Sequence, residues 1–253
     1  MHTSFSPVAF IDSGLGGISV LNECRKLLWH ENFIYVAETE MAPFGNKNRR
    51  RITKILIDNC LKIKKLYEPK VIVLACNSIT AASISKLRLY FKNTIFIGIE
   101  PAIKPAIESK LKNILVMCTV ATQKYSPVIK KFCKCKRVRV VALKKLASLI
   151  DNNLTNFGAV QCYLNQKLCK LKNIEGVVLG CTHYSFIMPQ IQNAFKNKLL
   201  FFNSITGVAL RLLNLLKNKN LLNTKRQKGK TEILVTKDNN NEFKKLLIKY
   251  LTR

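Results

Sequence analysis

The sequence predicts an α/β fold of two similar α/β domains with mostly parallel sheets. Apolar, strand-like runs alternate with amphipathic helical stretches along the 253-residue chain, a pattern typical of parallel sheets. Two of these runs, VIVLACNS and VVLGCTH, share one design: each reaches a cysteine that is followed at once by hydroxyl- or amide-bearing residues. A glycine-rich segment, DSGLGG, joins the first strand to the first helix.

The first part of the chain repeats a strand followed by a helix. The strand PVAFIDSG enters the glycine-rich turn, and residues 16–28 are predicted to be helical because their apolar side chains recur at helical spacing. The same alternation continues to residue 91. The further strands are predicted at 34–37 and 70–75, and the further helices at 51–66 and 78–91.

The pattern then restarts, which indicates a second, related unit with its own strand-end cysteine. Its strands are predicted at 94–99, 113–118, 138–142 and 176–179, and its helices at 101–110, 121–133, 154–170 and 185–195, the last with Pro189 inside it. A helix at 206–217, an exposed Lys/Asn-rich loop at 218–230, a strand at 232–236 and a helix at 241–251 follow. We therefore expect one domain of residues 1–97 plus 206–253 and a second of residues 98–205.

The composition indicates a globular protein of a reducing compartment. With 48% hydrophobic residues the chain can bury a sizeable core. Its nine cysteines are odd in number and scattered, so we expect reduced thiols and a cytoplasmic protein. The three histidines (His2, His30 and His183) do not cluster with the C-x-C pair at 133–135, so no metal site is expected. We expect neither a signal peptide nor a membrane span.

The formal net charge of +29 has two interpretations. A strongly basic chain has the electrostatic character of a nucleic-acid binder. However, the basic residues are spread along the chain, only KNKNRRR and TKRQKGK form dense runs, and no known nucleic-acid-binding motif is present. We therefore expect a solvated basic surface whose binding to nucleic acid is at most weak and non-specific.

Four chemically active residues fall where predicted strands end: Asp12, Cys76, Thr119 and Cys181. Ligands of open α/β sheets gather at the carboxyl ends of strands. The reference pKa of a thiol is about 8.5, so cysteine can act as base or acid near neutral pH. Two matched thiols therefore suit a proton transfer in which one base removes a proton from one face of a carbon and the other protonates the opposite face.

Each candidate also has an ordinary structural explanation. A lone cysteine is usually a small buried hydrophobe, and Pro43-Phe44-Gly45 is simple turn chemistry. A cap at a helix N-terminus or a surface position accounts equally well for single polar residues. This explanation applies to Asp12, Ser13, Ser78, Asp151 and Thr182. The matched pair of cysteines, one of them followed by His183, favours function over these alternatives.

The motifs resemble those of the glutamate racemases, members of the cofactor-independent Asp/Glu racemase superfamily, over essentially the whole chain. IDSGLGGISVL resembles the opening DSG-x-GG segment, and APFGNK resembles the P-Y-G segment. LACNSITAAS resembles the first-cysteine motif, GIEPAIKPA the G-x-x-P-A segment, and VLGCTHYSFIMPQI the second-cysteine motif. The resemblance implies an active site in the cleft between two α/β domains, no cofactor, and a homodimer.

The resemblance also implies a role for individual residues. Cys76 and Cys181 are the acid/base thiols, the first acting on D-glutamate and the second on L-glutamate. Asp12 and His183 support proton transfer at the first and second thiol respectively. The implied substrate-binding residues are Asp12, Ser13, Pro43, Phe44, Gly45, Asn77, Ser78, Thr119, Thr122, Asp151 and Thr182.

Several positions depart from the family pattern, and they bear on substrate positioning rather than on the chemistry. Phe44 stands at a usual Tyr, and Asp151 at a usual Glu. Ser78 stands at a usual Thr, keeping the hydroxyl. The other departures are Glu38, Ala121, Tyr125, Ser185 and Asn203.

Two alternatives to glutamate racemisation remain open at this point. One is another racemase of the superfamily, such as an aspartate racemase. The other is a polyanion-binding protein on a degraded racemase scaffold, suggested by the net charge; the retained thiol pair argues against it. No lysine lies in a recognisable Schiff-base context, so we expect no pyridoxal phosphate. The bound amino acid must then be activated by geometry and electrostatics.

Overall fold

A computed structural model describes residues 3–225, 227–238 and 241–251 of the chain. Three features of the sequence analysis lie outside this range. They are His2, Arg226 of the TKRQKGK run, and residues 1–2, 226, 239–240 and 252–253 of the predicted first domain.

Five strands form the first sheet, and all of them run parallel in the order β4-β3-β1-β2-β9. Its three central strands are buried along their whole length, which explains their nearly continuous apolar sequence. The strands are β1 (Val8–Asp12), β2 (Phe33–Ala37), β3 (Val71–Leu74), β4 (Phe96–Gly98) and β9 (Thr231–Val235).

The second sheet has four parallel strands in the order β6-β5-β7-β8. These are β5 (Ile114–Cys118), β6 (Val138–Ala142), β7 (Gly176–Gly180) and β8 (Leu200–Phe202). The predicted α/β fold with two parallel sheets is therefore confirmed. The assignment of the strand predicted at 94–99 to the second unit is wrong, because this strand is β4 and pairs with β3 of the first sheet.

Helices connect the strands and cover the sheets. In the first part of the chain they are α1 (Ile18–Leu27), α2 (Arg49–Tyr67), α3 (Asn77–Tyr90) and α4 (Ile103–Glu108). The next are α5 (Val120–Tyr125), α6 (Pro127–Phe132), α7 (Leu146–Asp151), α8 (Gly158–Leu168) and α9 (Met188–Asn193). The last two are α10 (Ile205–Asn218) and α11 (Glu242–Leu251). Among the described residues, none of these helices is both long and apolar enough to cross a membrane.

The C-terminal elements return to the first sheet. Strand β9 pairs with β2, and α10 packs against α1 within the same apolar cluster as β1. The residue boundaries that we predict for the two domains remain a prediction.

Two predicted helices are each divided in the structure. The helix predicted at 121–133 becomes α5 and α6, because Ser126 is extended and Pro127 opens the second helix while the Ser126 hydroxyl caps it. The helix predicted at 185–195 is a 3₁₀-helix (Thr182–Ile187) followed by α9, which begins next to Pro189. Two short elements, α7 and β8, were not predicted.

Asn223 anchors the segment predicted as an exposed loop at 218–230 to the core. Asn223 is buried, its side chain donates to the His30 carbonyl, and its backbone N–H donates to Glu31. Glu31 in turn pairs with the fully buried Lys70, whose Nζ lies 2.5 Å from Oε2. Leu221 and Leu222 also pack against the core, so the prediction of an exposed loop is wrong at residues 221–223 and holds for most of the other described residues of the segment.

We predict that Lys70→Met destabilises the protein by about 3–5 kcal/mol, because it leaves the Glu31 carboxylate buried without its partner. Lys70 Nζ also donates to the carbonyls of Ser4 (2.6 Å) and Leu221 (2.8 Å), so three segments lose a contact. Urea unfolding measures the change. The control is Lys26→Met, which removes an exposed pair with Glu23 and should cost less than about 1 kcal/mol. Equal effects of the two variants would contradict the prediction.

Candidate active site

Asp12 closes the turn between β1 and α1. Its carboxylate is fully buried, and Oδ2 accepts from the backbone N–H groups of Gly14 and Gly17, both at 3.0 Å. The hydroxyl of Tyr35 lies 3.1 Å from the same oxygen. Oδ1 is buried and has no hydrogen-bond partner among the described residues. Oδ2 of Asp12 therefore stabilises the turn, whereas Oδ1 is available to a ligand or to a neighbouring catalytic group.

The first thiol, Cys76, lies just beyond β3 at the start of α3. Its Sγ accepts from the Ser13 hydroxyl at 3.5 Å. Burial, with the added negative charge of Asp12 and Cys181, raises the pKa of Cys76 to about 12. In the unliganded protein this residue is therefore a protonated thiol at neutral pH.

The second thiol, Cys181, lies just beyond β7 and has a different environment. Its Sγ is 3.8 Å from Nδ1 of His183, and Nε2 of the same ring is 3.1 Å from Oδ1 of Asp151. These last two atoms are at ion-pair distance but are not aligned for a hydrogen bond. Burial lowers the pKa of His183, but Asp151 and Cys181 outweigh it and raise this pKa well above its usual value. An imidazolium therefore adjoins the second thiol.

The glycine-rich turn brings the two cysteine motifs together. On one side Ser13 contacts Cys76. On the other, Gly16 packs so closely on the second motif that a Cβ there would lie 2.5 Å from His183 Nδ1 and would also overlap Thr182 Oγ1. The turn thus contacts Cys76 on one side and, on the other, the motif that contains Cys181.

We predict that Asp151→Asn lowers the pKa of His183, because it removes the carboxylate that stabilises the imidazolium. Because the pKa of His183 is higher in the folded than in the unfolded protein, its protonation stabilises the folded state. This contribution is complete at pH values below the ordinary histidine pKa, and it is lost as the pH rises through the raised pKa. The variant should therefore lose stability most at acidic and neutral pH. NMR titration of the histidine ring resonances measures the pKa, and thermal unfolding at several pH values measures the stability.

Two variants test the specificity of this prediction. Asp58→Asn removes an exposed carboxylate and should leave the His183 titration unchanged. Asp151→Glu keeps the charge and should retain most of the shift. A His183 pKa in Asp151→Asn that equals the parent value would contradict the prediction.

Three hydroxyl groups form a buried cluster beside the first thiol. Ser78 Oγ is 2.8 Å from Thr119 Oγ1, which is 2.9 Å from Thr122 Oγ1. Thr119 also caps α5. A Cβ at Gly45 would come within 3.2 Å of Thr119, so the turn at Gly45 packs directly on this cluster. Hydroxyl donors from both halves of the chain are therefore available at one place.

Other polar atoms of the predicted site are buried without a partner. Asn77 donates to the Ile99 carbonyl at 3.3 Å, but its Oδ1 has no partner, and neither does Thr182 Oγ1, within the part of the chain that the structure describes. Unpaired buried polar atoms are rare in proteins. Together with Asp12 Oδ1, these atoms offer hydrogen-bonding capacity to a polar ligand.

The turn at Pro43-Phe44-Gly45 packs against the second half of the chain through its aromatic ring and its backbone. The Ala42–Pro43 peptide bond is cis. The Phe44 ring is buried in the apolar cluster that also contains Cys76 and Ala121, so it adds packing rather than a hydrogen bond. The carbonyl of Gly45 accepts from Ala121 N–H at 2.7 Å. Phe44 and Ala121 thus form one contact region between the halves.

Glu38 has a structural role. It is buried, and its carboxylate accepts from Met41 N–H (3.2 Å), the Thr236 hydroxyl (2.9 Å) and the Asn59 amide (2.5 Å). It therefore anchors the loop that leads to Pro43.

The remaining departures from the family pattern lie outside the polar site. The Tyr125 hydroxyl accepts from Arg49 N–H at 3.2 Å, and Asn203 caps the first turn of α10. Ser185 is partly buried within the 3₁₀-helix. Among the described residues, none of these three side chains hydrogen-bonds to either thiol.

Two residues of the site were missed by the sequence analysis. Gly16 was read only as part of a glycine-rich turn, although its lack of a side chain is what admits the second cysteine motif. Tyr35 was read only as a strand residue, although its hydroxyl contacts Asp12. The hydroxyl of a buried tyrosine usually has a hydrogen-bond partner. The occurrence of Tyr35 in an apolar strand was therefore a signal for such a partner.

Comparison with known proteins places the chain among amino-acid racemases. It is 34% identical over 258 residues to the glutamate racemase of Clostridium novyi (strain NT), covering 99% of each chain. It is 35% identical over 240 residues to that of Clostridium kluyveri, covering 92% of this chain and 93% of the relative. No protein-family model matches the chain.

Solved structures show the same fold. Glutamate racemase RacE1 from Bacillus anthracis superposes with a TM-score of 0.85 at 25% identity, covering 99% of this chain and 95% of that one. Glutamate racemase from Francisella tularensis, in complex with D-glutamate, gives a TM-score of 0.84 at 24% identity over the same shares.

The near-full-length relatives and the shared fold define an enzyme of the amino-acid racemase class. Within that class, the near-full-length identity shows that the chain belongs to the glutamate racemase family.

Proposed function

We propose that the chain interconverts L- and D-glutamate by two-base proton transfer between Cys76 and Cys181. The observation that carries this proposal is the single turn flanked by both thiols, with Ser13 on Cys76 and Gly16 against the second cysteine motif. Opposed bases remove the need to turn the substrate over between deprotonation and reprotonation.

The two thiols differ in a way that suits the L-to-D direction. The buried Cys76 is a thiol, ready to donate a proton. The His183 imidazolium, 3.8 Å from Cys181 Sγ, stabilises negative charge on that sulfur. Cys181 thiolate then takes the α-proton of L-glutamate, and Cys76 delivers its own proton to the opposite face. This leaves Cys181 as thiol and Cys76 as thiolate, the arrangement needed for the reverse reaction.

Asp12 assists at the first thiol, and the polar side chains hold the substrate. Donors on the α-carboxylate stabilise the charge that develops as the α-proton leaves. The hydroxyl cluster supplies such donors, and the free oxygens of Asp12 and Asn77 are acceptors suited to the ammonium group. The substrate-binding set that we propose comprises Asp12, Ser13, Pro43, Phe44, Gly45, Asn77, Ser78, Thr119, Thr122, Asp151 and Thr182.

The proposal is tested by following L-glutamate by circular dichroism with the purified protein. We expect the signal to decay to zero as the racemic mixture forms, and we expect L-aspartate to react far more slowly. Because the reaction uses only protein groups, EDTA and hydroxylamine should not reduce the rate. A rate restored only by added metal or pyridoxal phosphate, or aspartate as the better substrate, would contradict the proposal.

The proposed cellular role is the supply of D-glutamate for peptidoglycan, and through it cell wall biogenesis and cell shape. We propose a cytoplasmic homodimer; its nine free thiols suit a reducing compartment. Each protomer would have a domain of residues 1–97 plus 206–253 and one of residues 98–205, with the active site in the cleft between them.

We predict that the basic surface binds duplex DNA only weakly and without sequence preference. Scattered lysines act through counterion release, with a log–log salt slope of about −0.9 per neutralised phosphate. Racemisation should then be insensitive to DNA at about 0.15 M salt, where the Debye length is roughly 8 Å. Titration of labelled DNA at several salt concentrations, with activity measured in parallel, tests both statements. Selective binding that survives high salt would favour a polyanion-binding role.

A further inference from the structure

The two oxygens of the Asp12 carboxylate have unlike surroundings. Oδ2 accepts from two backbone N–H groups and lies 3.1 Å from the Tyr35 hydroxyl, whereas Oδ1 is buried and without a partner among the described residues. Only Oδ1 is therefore available to the substrate or to Cys76. The contacts at Oδ2 determine which way the carboxylate faces.

The Tyr35 hydroxyl has one proton and two acceptors within reach. It lies 2.8 Å from the Gly14 carbonyl and 3.1 Å from Asp12 Oδ2. Burial raises the pKa of Tyr35 well above its usual value, and the Asp12 charge adds to this, so the hydroxyl stays protonated. The Tyr35 ring is fully buried. Rotation about the C–O bond alone moves the proton from one acceptor to the other.

We propose that Tyr35 is a positioning residue of the racemase reaction. Its hydroxyl holds the Asp12 carboxylate with Oδ1 toward the reacting groups, and it changes its hydrogen-bond acceptor when Asp12 gains or loses a proton. When Asp12 is ionised, the Tyr35 proton bonds Oδ2. When Asp12 is neutral, with its proton on Oδ1, the Tyr35 proton turns to the Gly14 carbonyl. This inference rests on the proposed two-thiol function.

The proposal predicts a change in Asp12 itself when the hydroxyl is removed. Tyr35→Phe keeps the ring and loses one donor to the ionised carboxylate, so the pKa of Asp12 should rise. Burial already raises this pKa; the other titratable groups near Asp12 are His183, which lowers it, and Cys76. The chain has four aspartates, so ¹³C-carboxyl labelling gives a readable titration, with Asp12→Asn identifying the resonance.

The kinetic consequence should fall on the Cys76 step. Losing a hydrogen bond to a charged group should lower kcat/KM roughly tenfold to a hundredfold. Because the equilibrium constant of a racemase is one, kcat/KM falls equally in both directions and cannot show which step is affected. Primary deuterium isotope effects, measured with α-deuterated D-glutamate and α-deuterated L-glutamate, can identify the affected step. Cys76 removes the α-proton of the D enantiomer, so in Tyr35→Phe we expect the isotope effect for D-glutamate to rise relative to that for L-glutamate.

Tyr184→Phe is the matched control. Tyr184 is equally buried, and its hydroxyl donates to the Cys118 carbonyl at 3.3 Å without touching Asp12. We expect it to leave the Asp12 titration unchanged. An unchanged Asp12 titration in Tyr35→Phe, or an isotope ratio that moves toward the L enantiomer, would overturn the proposal. If the parent protein does not racemise glutamate, the proposed function has failed instead, and the Asp12 titration still decides the role of Tyr35.

Discussion

Cys76→Ser and Cys181→Ser should each abolish racemisation. A serine hydroxyl is far less acidic than a thiol, so at neutral pH it supplies neither the base nor a comparable acid. The loss should be complete in both reaction directions, because each thiol acts once in every turnover. Activity within about tenfold of the parent for either variant, about 1.4 kcal/mol of barrier, would show that the two-thiol mechanism is wrong.

Cys60→Ser is the control for the chemical change itself. Cys60 is also a buried thiol, and burial raises its pKa to about 12 as well, but it lies in α2 among apolar side chains. We expect this variant to cost some stability and to racemise normally once activity is normalised to the folded fraction. High burial and a raised pKa alone would then not explain the loss at Cys76.

Gly16→Ala should lower kcat/KM by about a hundredfold although it removes no functional group. The new methyl would lie 2.5 Å from His183 Nδ1 and would overlap Thr182 Oγ1. The His183 ring is buried and paired with Asp151, so it cannot simply swing away. The turn or the second cysteine motif must shift, and a displacement of about 1 Å in a catalytic arrangement can cost about a hundredfold.

Gly14→Ala, two residues earlier in the same turn, is the matched control. Its Cβ would meet only Phe243, at the ordinary contact distance of 3.6 Å. Neither glycine has a positive φ, so backbone strain does not distinguish them. Steady-state kinetics and thermal unfolding of both variants check the prediction. A Gly16→Ala enzyme as active as Gly14→Ala would show that the close packing of the turn on the second motif is not needed.

The alternation of strands and helices was predictable because each element carries its own local signal. The buried parallel strands read as apolar runs, and the helices show helical spacing. The break between α5 and α6 depends on a single pair, Ser126 and Pro127, which was overlooked within a helical pattern. Strand β8 has only three residues, too few for periodicity to identify.

In the candidate site, too, some residues could be identified from the sequence and others could not. The thiols at the strand ends could be read from sequence, because a strand end is a local feature with a known place in the fold. The assignment of Asp12 and His183 to the thiols rests on the family resemblance alone. The contact of Asp151 with His183 has no local signal, because the two residues are well separated along the chain and only the tertiary fold places their side chains 3.1 Å apart. Tyr35 and Gly16 likewise act through close packing that no local pattern records.

The most direct test of the two-thiol mechanism is the fate of the α-proton in D₂O. L-Glutamate is incubated with the enzyme, and at early conversion the α-deuterium content of the D-glutamate formed and of the remaining L-glutamate is measured by NMR. If Cys181 removes the proton and Cys76 delivers another from the opposite face, the new D-glutamate should carry deuterium while the remaining L-glutamate stays almost fully protonated. D-Glutamate that retains the original proton, or L-glutamate that exchanges as fast as it racemises, would point to one base and contradict the mechanism.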